Sequence, residues 1–329
     1  MDKNKFKPAF GLSNCHIQTL YSKLFRKDIK LDLQDGIFTL SDGDFVEYSW
    51  CNKPTNQDTP IVLLLHGLEG SINSPYIRGM MQSLKEKNIA SVIMHFRGCG
   101  TKDNLFAKSY HSGQTSDVKE FIEYIKSIYI SNDLYIVGYS MGGNILLKLL
   151  AQYKQNSPIK KAVSVSAPLL LDNSSKTINK GFSKIYQSYL LKNLKIHLKK
   201  KYQKHDMEKL INFKEEDIEN IKTIWEFDEI YTSKIHGFKT AQNYYNISSA
   251  KQYLKDITTS TLIIHALDDP FMTKDILPLQ KDLPNNIQLQ VSKYGGHVGF
   301  ISGSFLNPTY WLEENIIKFL LQKSYNLKD

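Results

Sequence analysis

Cysteine is scarce in this 329-residue chain: Cys15, Cys51 and Cys99 are odd in number, widely spaced and without a CxxC pair. That pattern excludes a disulfide framework and a zinc site, and it suits free thiols in a reducing compartment. Long apolar runs are missing as well. No stretch of 18 or more apolar residues occurs, and the first 30 residues hold no apolar segment between a basic start and a small-residue cleavage site. Neither a spanning helix nor a secretory leader is therefore expected, and the expectation is a soluble, cytoplasmic protein. Internal repeats and low-complexity linkers are absent too, which excludes a solenoid.

What is present is globular composition, 41% hydrophobic and 23% charged, in a chain long enough for one large domain with an insertion. The formal charge of +9 is unevenly placed: Lys176 to Lys204 contains nine lysines and no acid, as much positive charge as the whole chain's excess. Elsewhere acids and bases balance, which argues against a nucleic-acid groove across the fold.

Apolar, β-branched runs alternate with helical patterns: "IVLLLHG" (61–67), "IASVIMHF" (89–96), "LYIVGY" (134–139), "AVSVSA" (162–167), "STLIIHA" (260–266) and "IQLQVS" (287–292). Continuous apolarity suits strands covered on both faces, and the alternation predicts an α/β fold with a mostly parallel sheet. One intervening helix, "TSDVKEFIEYIKSIY", opens on Thr115, Ser116 and Asp117 as candidate caps. Ahead of the parallel part, Asp35-Gly36 and Asp42-Gly43 are turn signals of an antiparallel start. The rhythm breaks from about Leu171 to Ala250, some 80 residues where a crossover needs a dozen. Phe182, Ile185, Tyr186, Tyr189, Leu190 and Leu194 recur there at helical spacing with lysines between. An inserted amphipathic, helical cap over approximately 171–250 is the expectation, within a single domain spanning 1–329.

The chemistry centres on "GYSMG", with a strand before it and a helix after it. A serine on such a sharp turn projects its hydroxyl into solvent, and glycines at 138 and 142 leave the turn uncrowded. Ser140 is thus the candidate nucleophile. It needs a base and an orienting carboxylate, in the chain order Ser, acid, His. His297 in "YGGHVGF" and the pair Asp268-Asp269 after "STLIIHA" both follow strands. Asp268 is the first choice because a turn shortly past the strand's end, with Pro270 following, commonly places the acid there; Asp269 is the alternative. In "HGLEGS" (66–71) Gly67 lets the backbone approach a substrate, and the Leu68 amide would pair with that of Met141 as an oxyanion hole. His66 has no partner at metal-ligand spacing and is expected to bond its own loop. "GCG" (98–100) lacks the rest of a dinucleotide fingerprint and is a turn.

Taken together, "NCHIQTLYSKLFR", "DGDFVEYSW", "LLLHGLEGS", "HFRGCG", "YHSGQTSDV", "GYSMGGNILLKLL", "IWEFDEIYTSKIHGF", "ALDDPFM" and "GGHVGF" span nearly the whole chain in order. The chain resembles the YheT-like branch of the α/β-hydrolases, which includes bacterial predicted esterases and fungal ethanol acyltransferase/esterases. The resemblance implies an α/β-hydrolase fold, hydrolysis or transfer of acyl esters, and the triad Ser140, Asp268 and His297. It also implies that the cap, ending in "IWEFDEIYTSKIHGF", is inherited architecture.

The reading is a serine carboxylesterase working through an acyl-enzyme on short- to medium-chain acyl esters, with no metal or organic cofactor implied. Its alternatives are acyl transfer to an alcohol, a lipid esterase or phospholipase, and a binding protein on a retired hydrolase fold. A small-molecule ester is the expected partner and nucleic acid is not. The lysine-rich segment also invites weak association with an anionic membrane surface, against the plainer reading of a solvated helix face.

Overall fold

Each apolar run becomes a strand, and the register of these strands decides where the loops meet. In the computed structural model, which describes residues 5–322, the strands are β1 (Leu33–Thr39), β2 (Phe45–Cys51), β3 (Ile61–Leu65), β4 (Ala90–Met94), β5 (Leu134–Tyr139), β6 (Lys161–Val165), β7 (Ser260–Ala266) and β8 (Ile287–Ser292). They form one eight-stranded sheet in the order β1-β2-β4-β3-β5-β6-β7-β8. β2 runs antiparallel to β1 and β4, and the remaining pairs are parallel. Every residue of β3, β4, β5 and β6 is buried.

Alternate side chains of these strands feed two apolar layers. On one face Leu63, Leu65, Val92 and Ile136 pack with Phe121 and Ile122 of a helix over Ser116–Ile128, and with Ile145 and Leu149 of another over Met141–Tyr153. On the other face Val62, Leu64, Ile93 and Val137 meet Met80 and Leu84 of the helix Pro75–Lys85, and Ile316 and Leu320 of the helix Trp311–Leu321. A further helix, α1 (Cys15–Phe25), precedes the sheet. These helices after α1 are numbered α2 (Pro75–Lys85), α3 (Ser116–Ile128) and α4 (Met141–Tyr153).

Two local expectations change. Asp35-Gly36 is no turn: Gly36 pairs with Tyr48 inside the β1–β2 ladder, and a Cβ on it would lie 2.3 Å from the Tyr48 ring. The glycine makes room for a ring, and the turn is at Asp42-Gly43, where Gly43 has φ +89°. Asp117 does not cap α3. Its two oxygens take the Arg97 guanidinium at 2.7 and 2.9 Å, and Asp42 adds a third contact at 2.8 Å. This buried charge cluster joins the "HFRGCG" turn to α3.

Between β6 and β7 the elements are helical, beginning with α5 (Leu171–Ile178) and α6 (Ser183–Tyr202) and ending with a helix over Ala241–Ser248 and a short 3-10 helix over Lys251–Asp256. They share an apolar cluster of their own, in which Leu191, Leu194 and Leu198 of α6 meet Met207, Ile211, Phe227 and Tyr231. The expected apolar stripe of α6 is divided. Tyr186 and Leu194 turn inward with Gln187, Leu191 and Leu198, whereas Phe182, Ile185 and Tyr189 stay in contact with solvent. At its far end Lys201 donates to the Asn104 side chain and, at 2.7 Å, to the Phe106 carbonyl; burial lowers its pKa to about 8.

Candidate active site

Ser140 stands between the end of β5 and the start of α4 with φ 51° and ψ −120°. A non-glycine residue pays strain of roughly 1–3 kcal/mol in such a conformation, and it persists only where the surroundings enforce it. Here they do. The Ser140 amide donates to Val165 O at 2.8 Å, and its carbonyl accepts from Gly143 and Asn144. A Cβ on Gly138 would fall 2.5 Å from the Gly142 carbonyl oxygen, and one on Gly142 would fall 2.5 Å from that of Leu65. Because both obstacles are backbone, neither position admits a side chain.

His297 reaches Ser140 from the segment after β8. Its Nε2 is 2.9 Å from Ser140 Oγ, and its Nδ1 is 2.8 Å from Asp269 Oδ2. An ionised carboxylate can only accept, so Nδ1 carries the proton and Nε2 is free to take one from the serine hydroxyl. The second oxygen of Asp269 accepts the Phe271 amide at 2.8 Å, and its side chain is fully buried. The carboxylate beside the histidine is therefore that of Asp269, and the expectation for Asp268 is corrected. β7 ends with the pair Ala266–Ser292, closed by the Leu267 N–H donating to Ser292 O at 2.8 Å, and the chain then turns so that the Asp269 N–H points back to Ala266 O at 3.2 Å. That turn presents Asp269 to the imidazole, and Asp268 Oδ1 instead accepts the Gly296 amide at 2.9 Å. Burial raises the Asp268 carboxyl above its usual range.

Two residues without a sequence signal hold the imidazole. Phe271 stacks on it, with centroids 4.0 Å apart and planes 8° from parallel. Thr19 Oγ1 of α1 accepts the His297 backbone N–H at 2.9 Å. α1 sits so close that a Cβ on Gly296, at φ +56°, would be 2.4 Å from the Cys15 carbonyl oxygen. Gln18, fully buried on the same helix, donates to the Leu12 and Ile301 carbonyls and accepts the Ile301 amide. The "NCHIQTLY" stretch is thus a brace for the histidine loop, a role that only tertiary contact reveals.

The loop 66–71 is placed by the pairing of Leu65 with Gly138. His66 is buried, accepts the Phe96 amide on Nε2 at 3.1 Å and so donates from Nδ1 to Gly67 O at 2.7 Å. Desolvation lowers its pKa to about 3, which keeps it neutral and bound to its loop. The Gly67 amide is taken by Tyr76 OH at 3.0 Å. Glu69, at φ +56°, receives the Tyr110 hydroxyl at 2.6 Å and faces His197 Nδ1 of α6 at 3.2 Å. Leu68 and Met141 line the same cavity as Ser140, as do Leu171, Ile178, Leu190 and Leu194 from the helical insertion. Asp228 and Tyr245 form a polar end: Tyr245 OH donates to Asp228 Oδ2 at 2.8 Å, and desolvation raises the Asp228 pKa to about 6.

Residues 60–304 match the family model described as alpha/beta hydrolase fold. The chain is 40% identical over 317 residues to the Escherichia coli (strain K12) protein named "Putative esterase YheT", covering 96% of this chain and 93% of that one. It is 26% identical to Bos taurus phospholipase ABHD3, covering 92% of this chain and 75% of that one. Among solved structures, the Pyrococcus furiosus esterase Pf2001 superposes with a TM-score of 0.59 at 17% identity, over 89% of this chain and 91% of that one, a likeness of fold.

Proposed function

The chain belongs to the α/β-hydrolase family, in its YheT-like branch, and from that premise we propose that it is a serine carboxylic ester hydrolase whose triad is Ser140, His297 and Asp269. The observation that carries this reading is the unbroken line from Asp269 through His297 to a serine held on a strained turn. As Ser140 Oγ attacks the ester carbonyl, its proton passes to His297 Nε2, and Asp269 stabilises the imidazolium. The carbonyl oxygen becomes an oxyanion and is met by the amides of Leu68 and Met141. Collapse expels the alcohol, which leaves with the proton from His297, and water then releases the acid by the same route in reverse roles.

The apolar part of the cavity supports short- to medium-chain acyl groups as substrates. No helix among the described residues is long and apolar enough to cross a membrane. The three free cysteines support placement in the reducing cytoplasm. A fluorophosphonate probe should label Ser140, and a panel of nitrophenyl esters of increasing acyl length should be hydrolysed. In Ser140→Ala, labelling should vanish and turnover should fall by several powers of ten. Retention of more than about a tenth of the activity contradicts the assignment.

A further inference from the structure

The outward side of α6 and the neighbouring side of α1 form one apolar strip. Phe182, Ile185 and Tyr189 follow one another at helical spacing, and on α1 the exposed Leu24 is the chain neighbour of Lys23, while Phe25 packs on Tyr21 and Phe305. Leu24 is 63% exposed, Ile185 58% and Tyr189 53%. The two helices are joined across the strip: the His16 and Phe182 rings lie 4.4 Å apart, and Lys23 Nζ sits 3.6 Å over the Tyr189 ring. Isolated exposed apolar residues are ordinary, but a joined strip of them marks a contact surface. It lies directly behind the reaction site. Tyr186, on the inward side of α6, packs on Phe271 at 5.1 Å, and Phe271 is the ring that stacks on His297.

The nine lysines of 176–204 sort themselves around this strip. Lys176 is paired with Asp172, Lys195 and Lys199 with Glu219, and Lys200 and Lys204 with Asp103, while Lys201 is buried on carbonyl groups. Lys180, Lys184 and Lys192 remain, exposed and without an ion-pair partner among the described residues. Lys23 of α1 and Lys27 just beyond its end add exposed cations. An apolar strip edged by uncompensated cations matches the boundary of an anionic bilayer, where acyl chains lie below and negative headgroups beside. A second copy of the chain fits poorly, since like charges would meet across the contact.

We propose that the α1–α6 face seats the protein on an anionic lipid surface. Binding is independent of what Ser140 cleaves, so it is measured without turnover. The full chain should pellet with vesicles of phosphatidylcholine containing phosphatidylglycerol more than with phosphatidylcholine alone, and less as salt rises. Replacing Lys180, Lys184 and Lys192 together by Gln should weaken anionic-vesicle binding about a hundredfold, at about fivefold per lysine. The double variant Leu24→Ser/Ile185→Ser should weaken it at least about tenfold at both low and high salt. Unchanged thermal melting verifies that each variant is folded. Equal pelleting with both vesicle types at low salt overturns the proposal. So does undiminished pelleting of the Leu24→Ser/Ile185→Ser variant, or a dimer that the same variant dissolves.

Discussion

Two adjacent aspartates follow β7, and the turn there presents Asp269 to His297 and Asp268 to the Gly296 amide. Asp269→Asn should force the wrong tautomer on the imidazole and lower kcat on the order of 10⁴-fold, by analogy with other triads. Asp268→Asn should cost far less, because Asp268 holds the Gly296 amide and an amide oxygen can still accept it. Steady-state kinetics on the two folded variants distinguish them, and a more severe loss in Asp268→Asn contradicts the geometry. Ser140 and His297 were legible in the sequence because glycine spacing and strand order constrain them locally. The acid was not, because two adjacent aspartates are the same residue type and only the path of the turn after β7 tells them apart. Thr19 and Phe271 were invisible for a related reason: a hydroxyl on a helix and a ring after a proline acquire their role only through distant packing.

Elements read well where burial was two-sided. β5 and β7 occupy the predicted spans, since a strand covered on both faces reads as a nearly continuous apolar run. Half-buried elements read less well. Asp35-Gly36 resembled a turn because a glycine under a cross-strand ring and a glycine in a bend look alike in sequence. α6 looked like one apolar face because its inward and outward apolar residues interleave at the same three- and four-residue steps. The seating of α1 on the histidine loop offers an element-level test. Gly296→Ala combines an unfavourable φ of +56° with a Cβ 2.4 Å from the Cys15 carbonyl oxygen. It should destabilise the fold by about 2–4 kcal/mol and reduce kcat as α1 and the loop separate. Gly237→Ala, at φ +75° with nothing within 4 Å of the added carbon, should cost only about 1 kcal/mol. Urea midpoints compare the two, and equal losses contradict the clamp.

For the whole molecule, the helical insertion brings a buried carboxyl whose charge opposes folding. Desolvation raises Asp228 from 3.8 to about 6. Between those values the folded state holds the proton that the unfolded state releases, so this group's contribution to stability falls as pH rises through the window. Asp228→Asn keeps an acceptor for Tyr245 OH and cannot ionise. It should therefore stabilise the protein by about 1–3 kcal/mol above pH ~6.5 and leave it nearly unchanged near pH ~4. Denaturant titrations at the two pH values measure this, and a variant less stable than wild type at the higher pH contradicts it. Lys201, lowered to about 8, acts in the opposite sense: its contribution to stability rises with pH from about 8 toward its unfolded value.

The backbone angle at Ser140 sets catalytic readiness against thermodynamic comfort. At φ 51° any L side chain is held where glycine alone rests easily. A serine there means that the folded protein gives up stability permanently in order to keep one hydroxyl aimed, before any substrate arrives. Ser140→Gly and Ser140→Ala should be equally inactive, yet Ser140→Gly should be the more stable of the two by about 1 kcal/mol, since only it releases the strained angle. Equal or reversed melting temperatures for the pair would mean that the turn is relaxed, and that the protein surrenders nothing to hold its nucleophile ready.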